Sequence, residues 1–210
     1  MTHQVQIETT PASLKKPVRS FYLSWIFLTS LCVPIAFIIS LIVLKLITSI
    51  VGDFVYVNGV RHITEDYLAM YAFVPMVSLL TGAVQYELLR QYLSRMGWWV
   101  PATVAGWLLG ILLVGLPGWL GRTNTPINDQ DLIFLVMGLA IGTAQWLLLR
   151  RRLARAGWWI AANALGWLLL GLIIPGNSLD QFGLLILGFL PACATAVMLA
   201  LQMNWVPSTG

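Results

Sequence analysis

An all-α integral membrane fold is what the sequence predicts: six transmembrane helices, both ends cytoplasmic, with an internal parallel repeat of a two-helix hairpin. Three observations predict it. Of 210 residues, 59% are hydrophobic and only 10% charged, with a mean hydropathy of +0.82, a balance that does not describe a soluble domain. Six apolar runs of spanning length are separated by short polar stretches. Finally, residues 82–109 (GAVQYELLRQYLSRMGWWVPATVAGWLL) recur as 142–169 (GTAQWLLLRRRLARAGWWIAANALGWLL), identical at 15 of 28 positions without a gap, which marks a duplicated unit.

Residues 1–20 are polar, are broken by Pro11 and Pro17 and end in Lys15, Lys16 and Arg19, the composition of a disordered cytoplasmic tail. The apolar run 21–52 is about twice the length of a signal-peptide core and no small-residue cleavage site follows it, so it reads as a retained anchor and the first transmembrane helix. Lys45 falls in its last turns, where a long stem can reach the far interface. Residues 53–66 form an outer loop in which apolar and polar residues alternate around Asn58-Gly59, the pattern of a short hairpin. The first hairpin repeat occupies 67–121, with spans at 67–89 and 98–121. An outer loop at 122–131 leads to the second, at 132–176, with spans at 132–149 and 158–176. A sixth helix at 183–203 and a short tail at 204–210 complete the chain.

Charge sets the orientation. Arg90 and Arg95 lie between spans two and three, and Arg150, Arg151, Arg152 and Arg155 between spans four and five. With the basic tail, every cluster falls on one side, as the positive-inside rule requires, and both ends are cytoplasmic. Such clusters also fit lipid headgroups and argue against a nucleic-acid surface. Spans two and four then run the same way, so the hairpins are parallel repeats. The sixth span is a half repeat: SLLTGAVQ (78–85), GLAIGTAQ (138–145) and GFLPACAT (188–195) align without gaps, with Ala192 in place of Gly and Thr195 in place of Gln.

Gly82 with Gln85, and Gly142 with Gln145, share one helix face. In lipid, close backbone approach and hydrogen bonds drive helix association, and a small residue beside an amide supplies both. These residues therefore clamp helices together; alternatively Gln85, Gln145, Asn163 and Thr195 line a pocket for a neutral ligand. Trp98-Trp99 and Trp158-Trp159 directly follow the basic turns, where an aromatic belt would keep each indole N–H wet. Trp107 and Trp167 fall ~13 Å deeper, beside Gly106 and Gly166, and read as packing residues or as a flat wall for a ring-bearing ligand. The turns QYLSRMG and RRLARAG each end in Gly, which suggests a helix C-cap.

The only histidines are His3 and His62, both outside the spans, and no acidic residue lies near a span's centre. Axial haem or chlorophyll ligation, a metal cluster and a proton relay are therefore not expected, nor is an enzyme, since no nucleophile has a base beside it. Cys32 and Cys193 sit in apolar runs and behave as small hydrophobes. No cofactor is indicated. The reading that remains is a non-catalytic accessory or scaffold subunit of a larger membrane assembly, with lipid and other membrane subunits, or copies of itself, as partners. The alternative is a small-molecule- or lipid-binding component of a transporter, of the substrate-recognising type; a weaker one is a protein holding carotenoid or quinone in Trp-rich grooves.

The pattern GxxQWLxLRRxLxxAGWWxxAxxxGW, complete from Gly142 to Trp167 and varied in the first copy at Tyr86, Glu87, Gln91 and Pro101, resembles a set of uncharacterised Trp-rich membrane proteins of cyanobacteria and filamentous Chloroflexota. The resemblance covers about half the chain. It implies a bacterial plasma membrane or a thylakoid and carries no activity.

Overall fold

The computed structural model describes residues 19–57, 59–93, 96–119, 130–153, 155–173 and 181–204, and these are mostly helical. Six helices, α1 (Arg19–Val51), α2 (Thr64–Leu89), α3 (Trp99–Trp119), α4 (Gln130–Leu149), α5 (Trp158–Ile173) and α6 (Gln181–Asn204), are joined by one pair of strands, β1 (Phe54–Val57) and β2 (Val60–Ile63). Three helical segments are long and apolar enough to cross a membrane: Arg19–Val51, Tyr67–Leu89 and Asp131–Leu149. Trp99–Gly115, Trp158–Ile173 and Leu187–Met203 are apolar but shorter. The tails at 1–18 and 205–210, most of the 122–131 loop, and Arg95 lie outside the described residues. Asp131, read as loop, instead lies in the first turn of α4, where the positive end of the helix dipole favours a carboxylate.

At 33 residues and ~1.5 Å per residue, α1 is ~50 Å long, well beyond a hydrocarbon core of ~30 Å. It stops at Gly52, whose φ of 95° suits a residue without Cβ and whose N–H bonds Thr48 O at 2.8 Å. The strands then pair antiparallel with Val57 opposite Val60, and Gly59, at φ 77°, takes the left-handed position of the two-residue turn. Thr64 N–H donates to Asp53 O (3.0 Å) and its hydroxyl to Gly52 O (2.7 Å). These bonds tie the start of α2 to the end of α1, so α2 begins at Thr64 rather than at 67.

Lys45, expected only to reach for the interface, pairs with Glu65 across this junction, with the two side chains 74% and 39% exposed. An ion pair in so open a setting is worth at most about 1 kcal/mol. Lys45→Ala should therefore leave the thermal midpoint of the purified protein within about 2–4 °C of wild type, read by circular dichroism.

The glycines of the two arginine-bearing turns are not C-caps. Gly52 and Gly59 are the positive-φ glycines among the described residues, while Gly97 and Gly157 precede α3 and α5. The end of α2 continues as a further turn, with Leu93 N–H bonded to Leu89 O (2.8 Å), and α4 does the same through Leu153 and Leu149 (2.9 Å). Burial of Leu89, Leu93, Leu149 and Leu153 draws these turns inward, so apolar packing ends the helices where a left-handed glycine was expected.

Each helix packs on its neighbours in the chain, and α6 packs back on α1, closing a ring of six. Pro34 contributes to the closure. It cannot donate to Ser30 O, and Gly188 of α6 fits against that carbonyl, where an added Cβ would stand 2.7 Å from the oxygen. Inside the ring are two apolar clusters. One, at the arginine-bearing end, includes Trp25, Trp99, Trp159, Leu93, Leu153 and Met203. The other, towards the hairpin, includes Val33, Val77, Trp107, Met137, Trp167 and Leu187.

Candidate functional site

Between the two clusters lies a layer of buried polar side chains: Thr29, Gln85, Thr103, Gln145, Asn163 and Thr195. One geometry recurs in it three times. Trp99 Nε1 donates to Gln85 Oε1 (3.2 Å), Trp159 Nε1 to Gln145 Oε1 (2.9 Å) and Trp25 Nε1 to Thr195 Oγ1 (3.1 Å). The bonds span α3 to α2, α5 to α4 and α1 to α6. Gln145 links the sets, its Nε2 donating to Gln85 Oε1 (3.1 Å) and Thr103 Oγ1 (3.0 Å). The three indoles also meet edge to face, with centroids 6.2 Å apart for Trp25–Trp159 and 5.9 Å for Trp99–Trp159.

These bonds correct the aromatic-belt expectation for half of its residues. Trp98 and Trp158 are 73% and 61% exposed, whereas Trp99 and Trp159 are 0% exposed. Adjacent residues on a helix point ~100° apart, so only one of each Trp pair can face the interface. The other turns inward, and an indole N–H taken out of water needs an acceptor, which the amide on the preceding helix provides.

The small residues act at the same seams. A Cβ on Gly82 would meet Val100 Cα at 3.2 Å and one on Gly142 would meet Ile160 Cα at 3.0 Å, so each holds its own helix pair close. Gly106 and Gly166 face the next helix instead, where an added Cβ would stand 2.7 Å from Ile141 Cα and from Pro191 Cα respectively. Trp107 and Trp167 are brought together, with ring centroids 5.2 Å apart and edge to face, and Phe134 stacks on Trp167.

A cavity of about 40 Å³ opens beneath these two rings. Its polar side is formed by Thr29, Thr81, Gln85, Gln145, Asn163 and Thr195, and its apolar side includes Trp107, Trp167, Val33, Ile141 and Leu187. The structure therefore brings Gln85, Gln145, Asn163, Thr195, Trp107 and Trp167 to one cavity and leaves Gly82 and Gly142 at the helix seams. An apolar cavity of ~150 Å³ accommodates benzene, so this one is too small for a pigment or quinone ring.

The arginines form no part of that cavity. Arg90, Arg150, Arg151, Arg152 and Arg155 are exposed at one end of the ring. Arg90 pairs with Glu87, whose hydrogen bond and charge raise the guanidinium pKa above its ordinary value; Arg150 lies over the Trp146 ring, 5.4 Å from its centroid. Gln202 Nε2 bonds Arg155 O at 2.9 Å, fastening α6 to that turn. Among the described residues no group of three or more His, Cys, Asp or Glu is placed to hold a metal ion.

Sequence reading missed Trp25, Thr29 and Thr103. A signal was available: Trp25-Ile26 followed by Thr29 has the spacing of Trp99-Val100 followed by Thr103 and of Trp159-Ile160 followed by Asn163. In the fold α6 packs on α1, and Trp25 meets Thr195 across that seam. Comparison of the chain with protein-family models, with curated proteins and with solved structures found no match.

Proposed function

We propose that the chain is a non-catalytic membrane protein with six spans and both ends cytoplasmic, acting as an accessory or scaffold subunit of a larger membrane assembly. In this reading α2–α3 and α4–α5 are parallel hairpin repeats, and α6 with α1 is a third copy split between the two ends of the chain. The observation that carries it is the division of polarity. Polar side chains between helices bond largely to one another and to backbone, while the outward faces of all six helices are apolar, for example at Phe27, Leu79, Leu112, Leu139, Leu172 and Val197. A surface of this kind needs lipid or apolar protein against it. The exposed arginines at one end suit the anionic cytoplasmic leaflet, at ~1 kcal/mol for each basic residue near it. A bacterial plasma membrane or a thylakoid is the membrane this reading assigns.

Gentle extraction from the native membrane followed by native mass spectrometry tests the proposal. A species well above 23.3 kDa that contains other subunits is the expected result. A lone monomer, stable without any co-purifying subunit, overturns it. The second reading, a small-molecule-binding component of a transporter, is favoured by one observation: the cavity keeps polar groups that the helix clamps do not use.

A further inference from the structure

We propose that the cavity inside the helix ring is a binding site for one small neutral amide, a molecule of the size and chemistry of urea or acetamide. Such a site goes beyond a scaffold role and stands whether or not the chain works within an assembly. It is built around Thr29. This residue is 6% exposed, lines the cavity and has no hydrogen-bond partner for its hydroxyl among the described residues. Thr103 and Asn163, which follow Trp99 and Trp159 by the same four residues, each bond back to the carbonyl of that Trp, at 3.0 Å in both cases. Thr29 makes no such bond to Trp25, and a buried orphan hydroxyl costs free energy unless something pairs with it.

Two further groups complete the site. Gln85 Oε1 accepts from both Trp99 and Gln145, which fixes the amide orientation and leaves its –NH₂ unused among the described residues. Asn163 spends its –NH₂ on Trp159 O and keeps its carbonyl oxygen. The cavity thus offers N–H and O–H donors for a carbonyl and one amide oxygen for an N–H, which is the complement of a primary amide. Among the described residues no charged side chain lines it, so an ion entering would lose its hydration without a counter-charge, and the ligand is neutral. Size sets the other limit. A volume of about 40 Å³ corresponds to roughly three waters at ~10–15 Å³ each. The indoles of Trp107 and Trp167 supply a flat apolar wall for a planar amide.

The test is equilibrium dialysis of the purified full-length protein in detergent against radiolabelled acetamide, with wild type, Thr29→Val and Thr29→Ser compared at equal helicity. Saturable binding of one acetamide per chain, weakened at least tenfold by Thr29→Val and restored by Thr29→Ser, is the expected result. Absence of saturable binding to the wild type, as a cavity holding only water would give, overturns the proposal. So does a Thr29→Val protein that binds as well as wild type. If Thr29→Val fails to fold, Gln85→Met keeps the side-chain length and removes the amide donors on the same wall; undiminished binding by that variant overturns the proposal equally.

Discussion

Trp159→Ala is expected to cost about 3–5 kcal/mol of folding free energy, whereas Trp158→Ala, one residue earlier, costs under about 1 kcal/mol. The contrast arises from position alone. Trp159 is 0% exposed, touches Trp25 and Trp99 edge to face and donates to Gln145 at 2.9 Å; its removal leaves a cavity at the centre of one apolar cluster and an acceptor without its donor. Trp158 is 61% exposed and loses only interfacial contact. Trp159→Phe separates the two losses, since the ring stays and the N–H goes, and should cost about 1–2 kcal/mol. Reversible unfolding of the purified protein in mixed micelles, followed by far-ultraviolet circular dichroism, measures all three. Equal costs at 158 and 159 would sink the inward placement of one tryptophan from each pair.

Gln145→Leu should be the most damaging change among the polar residues. This single amide holds Trp159, Gln85 and Thr103, and it is 1% exposed. Hydrogen bonds between helices in lipid average ~0.6 kcal/mol and reach ~1.7, and three at once, with partners left buried, sum to about 2–4 kcal/mol. Gln85→Leu should cost less, because Trp99 then loses its acceptor while Gln145 keeps Thr103 and Trp159. A double-mutant cycle of Gln145→Leu with Trp159→Phe isolates the shared bond, with a coupling of roughly 0.5–2 kcal/mol expected. If Gln145→Leu proved neutral or stabilising, the amides would not be clamping the helices.

How far the site could be read from sequence is seen in two contrasting residues. Gln145 announced itself, because an amide in an apolar run beside a glycine, repeated at a fixed offset, has few roles open to it in lipid. Trp25 did not. Its helix shares little of the repeat beyond Trp-Ile and a threonine four residues on, and its partner Thr195 lies 170 positions away, so nothing local connects the two. Trp99 and Trp159 were misread for a related reason. Two adjacent tryptophans after a basic turn look alike in a linear pattern, and only the azimuth of each on its helix separates the exposed ring from the buried one.

Composition and spacing were enough to dictate a helical chain of long apolar segments, the short strand hairpin that turns through Gly59, arginines gathered in two short turns, and the amides and small residues that lie between helices. These are properties of a residue and its near neighbours, and physical chemistry evaluates them one segment at a time. Three other features emerge only once the helices are assembled: α6 returns to α1 and closes the ring, one tryptophan of each pair turns inward to meet an amide, and Thr29 is left facing a cavity. Each of those depends on which helix stands opposite, and in apolar surroundings almost any helix face can pack on another. Close approach at Gly166 and Gly188 and the few hydrogen bonds between helices make that choice.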